Sequence, residues 1–399
     1  MKRILFVDDE SRILEGLQRM LRPYRKQWDM AFANSGNEAL AMLAQSPYDV
    51  IVSDMRMPGM DGAQLLELVR ERYPGMVRLV LSGQFGKDAA LHAVPVAHQF
   101  LMKPCDAGKL QATIERFCEC DSMIADGATR RVVSAIGELP ALPSTYAALV
   151  DALGDPETSL DQVGAIVERD VAVAAKVLQL VNSSFFGLSR EVATISMAVG
   201  YLGFETLTQL VVTVEVFRTF ACGPHLSAFV EEVQRHSRCV ASIAARLPVV
   251  RQKSGTTSVA ALLHDVGKLI MATRLTGQFE LALQASVEQK RPLQTLEEEM
   301  TGTTHAEIGA YLLALWGLPS AVVTAVSQHH LPIWVTADTP LDIRLAVRLA
   351  DMLEHEAAGH LENILPGALE DFCKASPEWT ESLPEWRKIA EDVVQGEAQ

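Results

Sequence analysis

Residues 261–271 read ALLHDVGKLIM, an apolar run broken by His264, Asp265 and Lys268. A plain core helix has no use for these groups, because a buried charge without a partner is costly. Imidazole and carboxylate are ligands for Mn²⁺, Fe²⁺ or Zn²⁺, often in pairs of ions bridged by one carboxylate. More residues of the same types follow in the second half of the chain. Glu232 and His236 stand four apart in VEEVQRHS, which puts them on one face of a helix. His305 lies in TTHAEIGAYLLALWG, His329 and His330 adjoin in SQHHLP, and Asp351 stands among apolar neighbours in VRLADMLEH. A lone histidine on an apolar face is usually a hydrogen-bonded core residue. Together, Glu232, His236, His264, Asp265, His305, His329, His330 and Asp351 form a candidate metal set, with Asp265 as the bridge. Water activated on such a pair attacks phosphoesters, and Lys268 beside Asp265 would stabilise the phosphoryl oxygens. The alternative is a polar core in which the same groups only hydrogen-bond one another.

These side chains need elements to carry them, and the elements change along the chain. Over the first 120 residues, short apolar runs (ILFVD, MAFA, VIVSD, RLVLSG, QFLMK) alternate with helical-period segments, including KDAALHAV at residues 87–94. Five such βα units predict a doubly wound α/β domain with a parallel sheet buried on both faces. Ligands bind at the carboxyl ends of strands in such sheets. Asp8 and Asp9 follow the first strand, Asp54 the third, Ser82 and Gly83 the fourth, and Lys103 and Pro104 the fifth. Carboxylates converging on one edge repel each other unless a hard divalent cation such as Mg²⁺ sits among them. A hydroxyl and an ammonium nearby suit phosphoryl oxygens.

This segment resembles the receiver domain of bacterial two-component response regulators over essentially its whole length. The resemblance implies that Asp54 is the phosphoacceptor and a sensor histidine kinase the donor. It implies that Asp8, Asp9, Asp54 and the backbone carbonyl of Arg56 hold Mg²⁺. Ser82, Phe100 and Lys103 then take the switch positions, and the loop MRMPGMDG after Asp54 fits the family. Phosphorylation adds nearly two negative charges, which would draw Ser82 and Lys103 inward and repack the adjoining face. A homodimer through that face is a further implication.

Residues 121–138 (DSMIADGATRRVVSAIGE) read as a linker whose pattern is compatible with a helix. Beyond them strand signals nearly vanish, and an all-α region is predicted over 139–370, divided into a helical part (139–230) and a part carrying the histidines (231–370). A tail helix is predicted over 371–399, with Trp379 and Trp386. SLDQVGAIVERDVAVAAKVLQLV has the outline of a helix-turn-helix, but its second helix is apolar with one basic residue, Lys176, and a DNA-reading helix needs several. The second half resembles the HD superfamily of metal phosphohydrolases and, more closely, the HDOD domain, through LPALPSTYAALVDAL, RDVAVAAKVLQLVNSSFFG, AVGYLG and LLHDVGKL. HDOD members usually act as protein-binding outputs. The ligand order is also similar to that of the HD-GYP phosphodiesterases, but LPIWVTADTP follows His329-His330, without the glutamate, arginine and Gly-Tyr-Pro of those enzymes. Two outputs therefore stay open: binding of a downstream partner protein, or metal-dependent phosphohydrolysis, with a cyclic dinucleotide as one candidate substrate.

The chain has 399 residues, 49% of them hydrophobic and 21% charged, with a net charge of −15. That length predicts more than one domain, and the acidic balance disfavours direct DNA contact. The N-terminal apolar run is too short for a signal peptide, and a cytosolic protein without a membrane span is expected. The six cysteines are scattered, as expected of reduced structural thiols.

Overall fold

The computed structural model describes residues 1–82, 96–103, 157–183, 192–213, 224–247, 254–331, 339–360 and 367–397, together with isolated positions between 108 and 152. Five parallel strands form one sheet: β1 (Lys2–Val7), β2 (Trp28–Ala33), β3 (Val50–Ser53), β4 (Val77–Ser82) and β5 (Gln99–Met102), in the order β2-β1-β3-β4-β5. Ile4, Leu5, Phe6, Ile51 and Val52 are buried, as strands covered on both faces require. The register sets Val7 opposite Ala33 and Ser53, Val80 opposite Ser53, and Ser82 opposite Met102. The carboxyl ends of β1, β3 and β5 therefore come together, and with them Asp8, Asp54 and Lys103. Helices α1 (Ser11–Met20), α2 (Gly36–Gln45) and α3 (Gly62–Arg72) cover the sheet, with a helical stretch at 110–115. The helical pattern at 87–94, Gly83, Pro104 and the Ser82 side chain lie outside the described residues.

The second half is helical, as its 3.6-residue periodicity demands. Its helices are α4 (Leu160–Val167), α5 (Val171–Asn182), α6 (Ile195–Thr213), α7 (Pro224–Arg246), α8 (Ser254–Leu263), α9 (Val266–Arg274), α10 (Thr276–Gln289), α11 (Leu293–Thr301), α12 (His305–Leu315), α13 (Ser320–Gln328), α14 (Ile343–Ala358), α15 (Ala368–Cys373) and α16 (Pro377–Glu397). Of the linker at 121–138, Thr129, Val132 and Val133 are helical and the other positions lie outside the described residues. No helix among the described residues is long and apolar enough to cross a membrane.

The helix-turn-helix outline resolves into α4 and α5. A capping box of Ser159 and Gln162 starts α4, and Asp170 caps α5 through the amides of Ala172 and Val173. Every residue of α5 from Val171 to Val181 is buried, so this helix presents no face to a DNA groove. Lys176 places its ammonium 4.4 Å from the Trp316 ring centroid at the end of α12. Gln179 Nε2 lies 3.5 Å from the carbonyl oxygens of both Ala97 and His98, just before β5. One helix thus touches both halves of the chain. Most of the tail is α16, preceded by the short α15, and α16 is structural: Trp379 and Trp386 are buried, and Arg387 bonds Glu356 on α14 at 2.6 Å.

Candidate functional site

At the sheet edge, Lys103 Nζ donates to Asp8 Oδ2 and Asp54 Oδ1. Asp54 Oδ2 also accepts from the Arg56 amide at 2.7 Å, and Asp8 Oδ1 from the Glu10 amide at 3.0 Å. Burial raises the Asp8 pKa, partly countered by Lys103, and the two carboxylates raise that of Lys103 against its own desolvation. Asp9 is exposed and borders an open pocket with Met55, Arg56 and Pro58. Phe100 is buried in β5, three residues before Lys103. Gly62 starts α3 hard against the phosphoacceptor loop: a Cβ there would lie 2.1 Å from the Asp54 carbonyl oxygen. Asp8, Asp9, Asp54 and Lys103 form one oxygen-rich edge with a cation, a donor set that fits Mg²⁺.

The second cluster is built by α7, α8, α9, α12, α13 and α14. His236 comes from α7, His264 and Asp265 from the α8–α9 junction, His305 from the start of α12, His329 and His330 from the end of α13, and Asp351 from α14. Their donor atoms fall into two groups, each within 4.8 Å: Asp265, His305, His329 and His330; and His236, His264 and Asp351. Asp265 joins the groups. Its Oδ1 lies 3.3 Å from His305 Nε2 and 3.7 Å from His329 Nε2, and its Oδ2 lies 3.4 Å from His264 Nε2 and 3.5 Å from His236 Nε2. Lys268 Nζ holds Oδ2 at 2.6 Å.

The orientation of the rings is as telling as their position. His264 Nδ1 donates to the Ala261 carbonyl at 2.6 Å and His329 Nδ1 to the Val326 carbonyl at 2.7 Å. His236 Nδ1 donates to Glu354 Oε2 at 2.7 Å and His305 Nδ1 to Glu297 Oε2 at 2.6 Å. An outward proton on each Nδ1 fixes the tautomer and leaves Nε2 facing inward as a ligand. The inward nitrogens face one another at 3.2 Å (His236–His264), 3.4 Å (His305–His329) and 3.0 Å (His305–His330). Two nitrogens bound to one metal at about 2.1 Å stand about 3.0–3.4 Å apart at octahedral to tetrahedral angles. Among the described residues, Asp265 Oδ1 is a buried oxygen with no hydrogen-bond partner. Donor set, spacing and orphan oxygen all fit a pair of divalent transition-metal ions.

The electrostatics of the cluster divide along its pairs. Burial pushes His264 down to about 3, whereas Asp351 and Glu354 outweigh burial at His236 and push it up to about 10. Burial also drives His330 well below its usual value. Burial opposes ionisation of Asp265, but His264 and Lys268 prevail and hold it far below the carboxylate range. The cluster floors a cavity of about 950 Å³ that Phe229, Lys268, Leu283, Lys290, Arg348 and Met352 help to line.

One expected ligand is not brought in. Glu232 borders the cavity, but its carboxylate pairs with Arg235 at 2.7 and 3.0 Å, one turn along α7, where that pair stays solvated. Three residues of the site were missed. Glu354 and His355 follow Asp351 by three and four positions, and that spacing alone could have found them on its face. His355 Nε2 lies 3.3 Å from Asp351 Oδ1, and its ring stacks on His236 at 4.7 Å. Glu297 sits in the acidic run LEEEM, which reads as solvated, yet it is fully buried and also accepts the His305 amide at 2.9 Å.

Residues 4–115 match the response regulator receiver domain, and residues 139–332 match the HDOD domain. Asp351 and Glu354 lie beyond the second match. An uncharacterized protein of Treponema pallidum is 26% identical over 204 residues, 50% of this chain and 39% of that one. The DNA-binding transcriptional regulator NtrC of Salmonella typhimurium is 40% identical over 111 residues, 28% of this chain and 23% of its own length. The chain thus spans well under half the length of these curated relatives. A virulence factor of Campylobacter jejuni, solved by crystallography, shares the fold with a TM-score of 0.50 and 17% identity, over 67% of this chain and 97% of that one.

Proposed function

Because the chain is a response regulator with a receiver domain and an HDOD domain, we propose that a sensor histidine kinase phosphorylates Asp54 and thereby controls a metal-dependent phosphohydrolase in the helical half. The observation that carries the output is the arrangement at Asp265: one carboxylate serving two donor groups, with four imidazoles turned inward by outward bonds. In the receiver, Asp54 is the nucleophile toward phosphorus, Asp8, Asp9 and Asp54 would hold Mg²⁺, and Lys103 is placed to pair with the phosphoryl oxygens.

In the helical half, Asp265, His305, His329 and His330 would hold one ion, and His236, His264, Asp351 and the second Asp265 oxygen the other. Divalent ions supply Lewis acidity and an acidified water there. Lys268 neutralises Asp265 and presents an ammonium to the cavity. Glu297 and Glu354 hold His305 and His236 in their tautomers. Burial of the cluster excludes bulk water and strengthens each of these interactions.

Elemental analysis of chelator-free protein, beside His264→Ala and Asp265→Ala with folding checked by circular dichroism, tests the reading together with hydrolysis of bis(p-nitrophenyl) phosphate. About two equivalents of Mn, Fe or Zn and measurable turnover are expected, both lost in the variants. Substoichiometric metal, unchanged in folded variants, overturns the enzyme. The second reading, a protein-binding HDOD output, is favoured by Met197 and Tyr201, each 49% exposed and one turn apart on α6.

A further inference from the structure

Arg348 stands one turn before Asp351 on α14, so the two share a face, and it borders the cavity. Its Nη1 donates to the carbonyl of Leu331, the residue next to His330. This bond fixes the guanidinium beside the ligand cluster. Of the other cations here, Lys268 is committed to Asp265 and Arg235 to Glu232 and Glu354, while Lys290 stands exposed at the end of α10, on another wall of the cavity. Among the described residues Arg348 has no carboxylate partner at ion-pair distance; its charged neighbour is Asp351, itself a candidate ligand. Among the described residues its remaining forked donors are free beside a site suited to phosphoryl groups. A guanidinium binds two oxygens of an oxyanion at once.

The shape of the cavity says what kind of phosphoester fits. At about 950 Å³ it is far larger than a phosphate ion. On the side of His305, whose ring Glu297 of α11 anchors, the wall comes from the α10–α11 hairpin, where Leu283, Val287 and Leu293 alternate with Ser286, Lys290 and Gln294. On the side of Asp351, α14 lines the cavity with Met352 beside Arg348 and His355. Apolar side chains thus stand among polar ones on both walls, with Arg348 near His330 and Asp351. A phosphorus over the cluster would carry an organic group on either side.

We propose that Arg348 is the substrate-anion clamp of this cavity, gripping a non-bridging oxygen of a phosphodiester whose two ester groups lie along the two walls, against Leu283, Val287 and Leu293 on one side and Met352 on the other. This rests on the phosphohydrolase reading above. Unlike Lys268, whose ammonium is tied to Asp265, Arg348 meets substrate and leaves the ligands alone. Its loss should therefore weaken anion binding without releasing metal.

The test is isothermal titration of the full chain, loaded with Mn²⁺ and analysed for metal, using inorganic phosphate, phenyl phosphate and diphenyl phosphate as probes. The wild type should bind diphenyl phosphate more tightly than phenyl phosphate. Arg348→Ala should weaken all three by about 10- to 100-fold, the worth of a charge-assisted pair, at unchanged metal content. Arg348→Lys should restore part of that affinity. With bis(p-nitrophenyl) phosphate the variant should raise KM more than it lowers kcat. Unchanged phosphate affinity in folded Arg348→Ala overturns the clamp, and equal binding of the two phenyl esters overturns the diester assignment. If the chain takes up no metal, the phosphohydrolase falls separately. The same titration then decides the clamp: Arg348-dependent phosphate binding upholds it, and no phosphate binding overturns it.

Discussion

Replacing Gly267 by alanine tests whether the HDVGK segment is held by contact rather than by chemistry alone. Gly267 opens α9 against the start of α12, where a Cβ would lie 1.9 Å from the carbonyl oxygen of His305 and 2.7 Å from its carbonyl carbon. Restoring an ordinary contact of 3.4 Å requires the two helices to part by about 1.5 Å at this point. Asp265 stands two residues before the glycine and His305 carries the carbonyl, so the parting falls between the bridging carboxylate and a ligand of the same ion. Metal sites tolerate distance errors of about 0.2 Å, so the group of Asp265, His305, His329 and His330 should fail to hold its ion. Overpacking should cost about 1–3 kcal/mol, against at most about 1 kcal/mol gained from alanine's helix propensity. For a helical unit of this size that lowers Tm by about 2–10 °C. Gly16 of α1 has open space around its Cβ position, so Gly16→Ala should leave Tm level or higher by a degree or two. Elemental analysis and calorimetry of both variants read the outcome. A Gly267→Ala protein with full metal content and an unchanged Tm would refute the packing argument.

Glu297→Gln should weaken metal binding by about 10- to 100-fold with little change in fold, since an amide is a poorer partner for His305 Nδ1; competition with a fluorescent chelator measures it, and equal affinity would remove Glu297 from the site. Asp54→Asn should abolish the Mg²⁺-dependent mobility shift that acetyl phosphate produces on a phosphate-affinity gel; a surviving shift would move the phosphoacceptor elsewhere. His98, buried beside Arg78 and Lys176, has its pKa driven well below 6.5, chiefly by burial. The unfolded chain takes up its proton below about pH 6.5 while the folded chain resists, so this contribution is complete above pH 6.5 and falls as the solution is acidified. Relative to His98→Gln, the wild type should lose about 1.4 kcal/mol more between pH 7.5 and 5.5 in denaturant titrations; parallel losses would place the histidine in a solvated setting.

The sheet and the strand-end residues were legible because both faces of a parallel sheet are buried, so its strands spell themselves as apolar runs. The ends of those runs then name the functional edge. The helical half was legible as helices, and its histidines as a set, because imidazoles at apolar positions stand out against the pattern. Glu297 and Glu232 show where reading stops. Both are glutamates on amphipathic helices, and nothing local separates them. Glu232 finds Arg235 one turn away and stays near solvent, while Glu297 is carried inward by a helical hairpin whose placement depends on distant packing. Gly267 is a similar case: its spacing in HDVGK is visible, but its reason, the carbonyl of His305, is 38 residues away in sequence.

The orientation of the imidazoles also bears on whether the helical half keeps a site or only the remains of one. Nε2 atoms 3.0–3.4 Å apart point their lone pairs at one another unless a cation or a shared proton lies between them. Burying such groups costs about 1–3 kcal/mol for each one left unsatisfied, and apolar replacements of similar volume would relieve that cost. A domain that used this region only for packing would gain stability by losing it. Instead the outer partners are in place for His236, His264, His305 and His329: two carboxylates, themselves buried, and two backbone carbonyls. Glu297 and Glu354 are costly to bury, and each holds an imidazole Nδ1, which makes sense when the inward nitrogens have an ion to bind. The missing Gly-Tyr-Pro segment bears on what the cavity recognises, not on whether its floor can hold metal, because the ligands come from other helices.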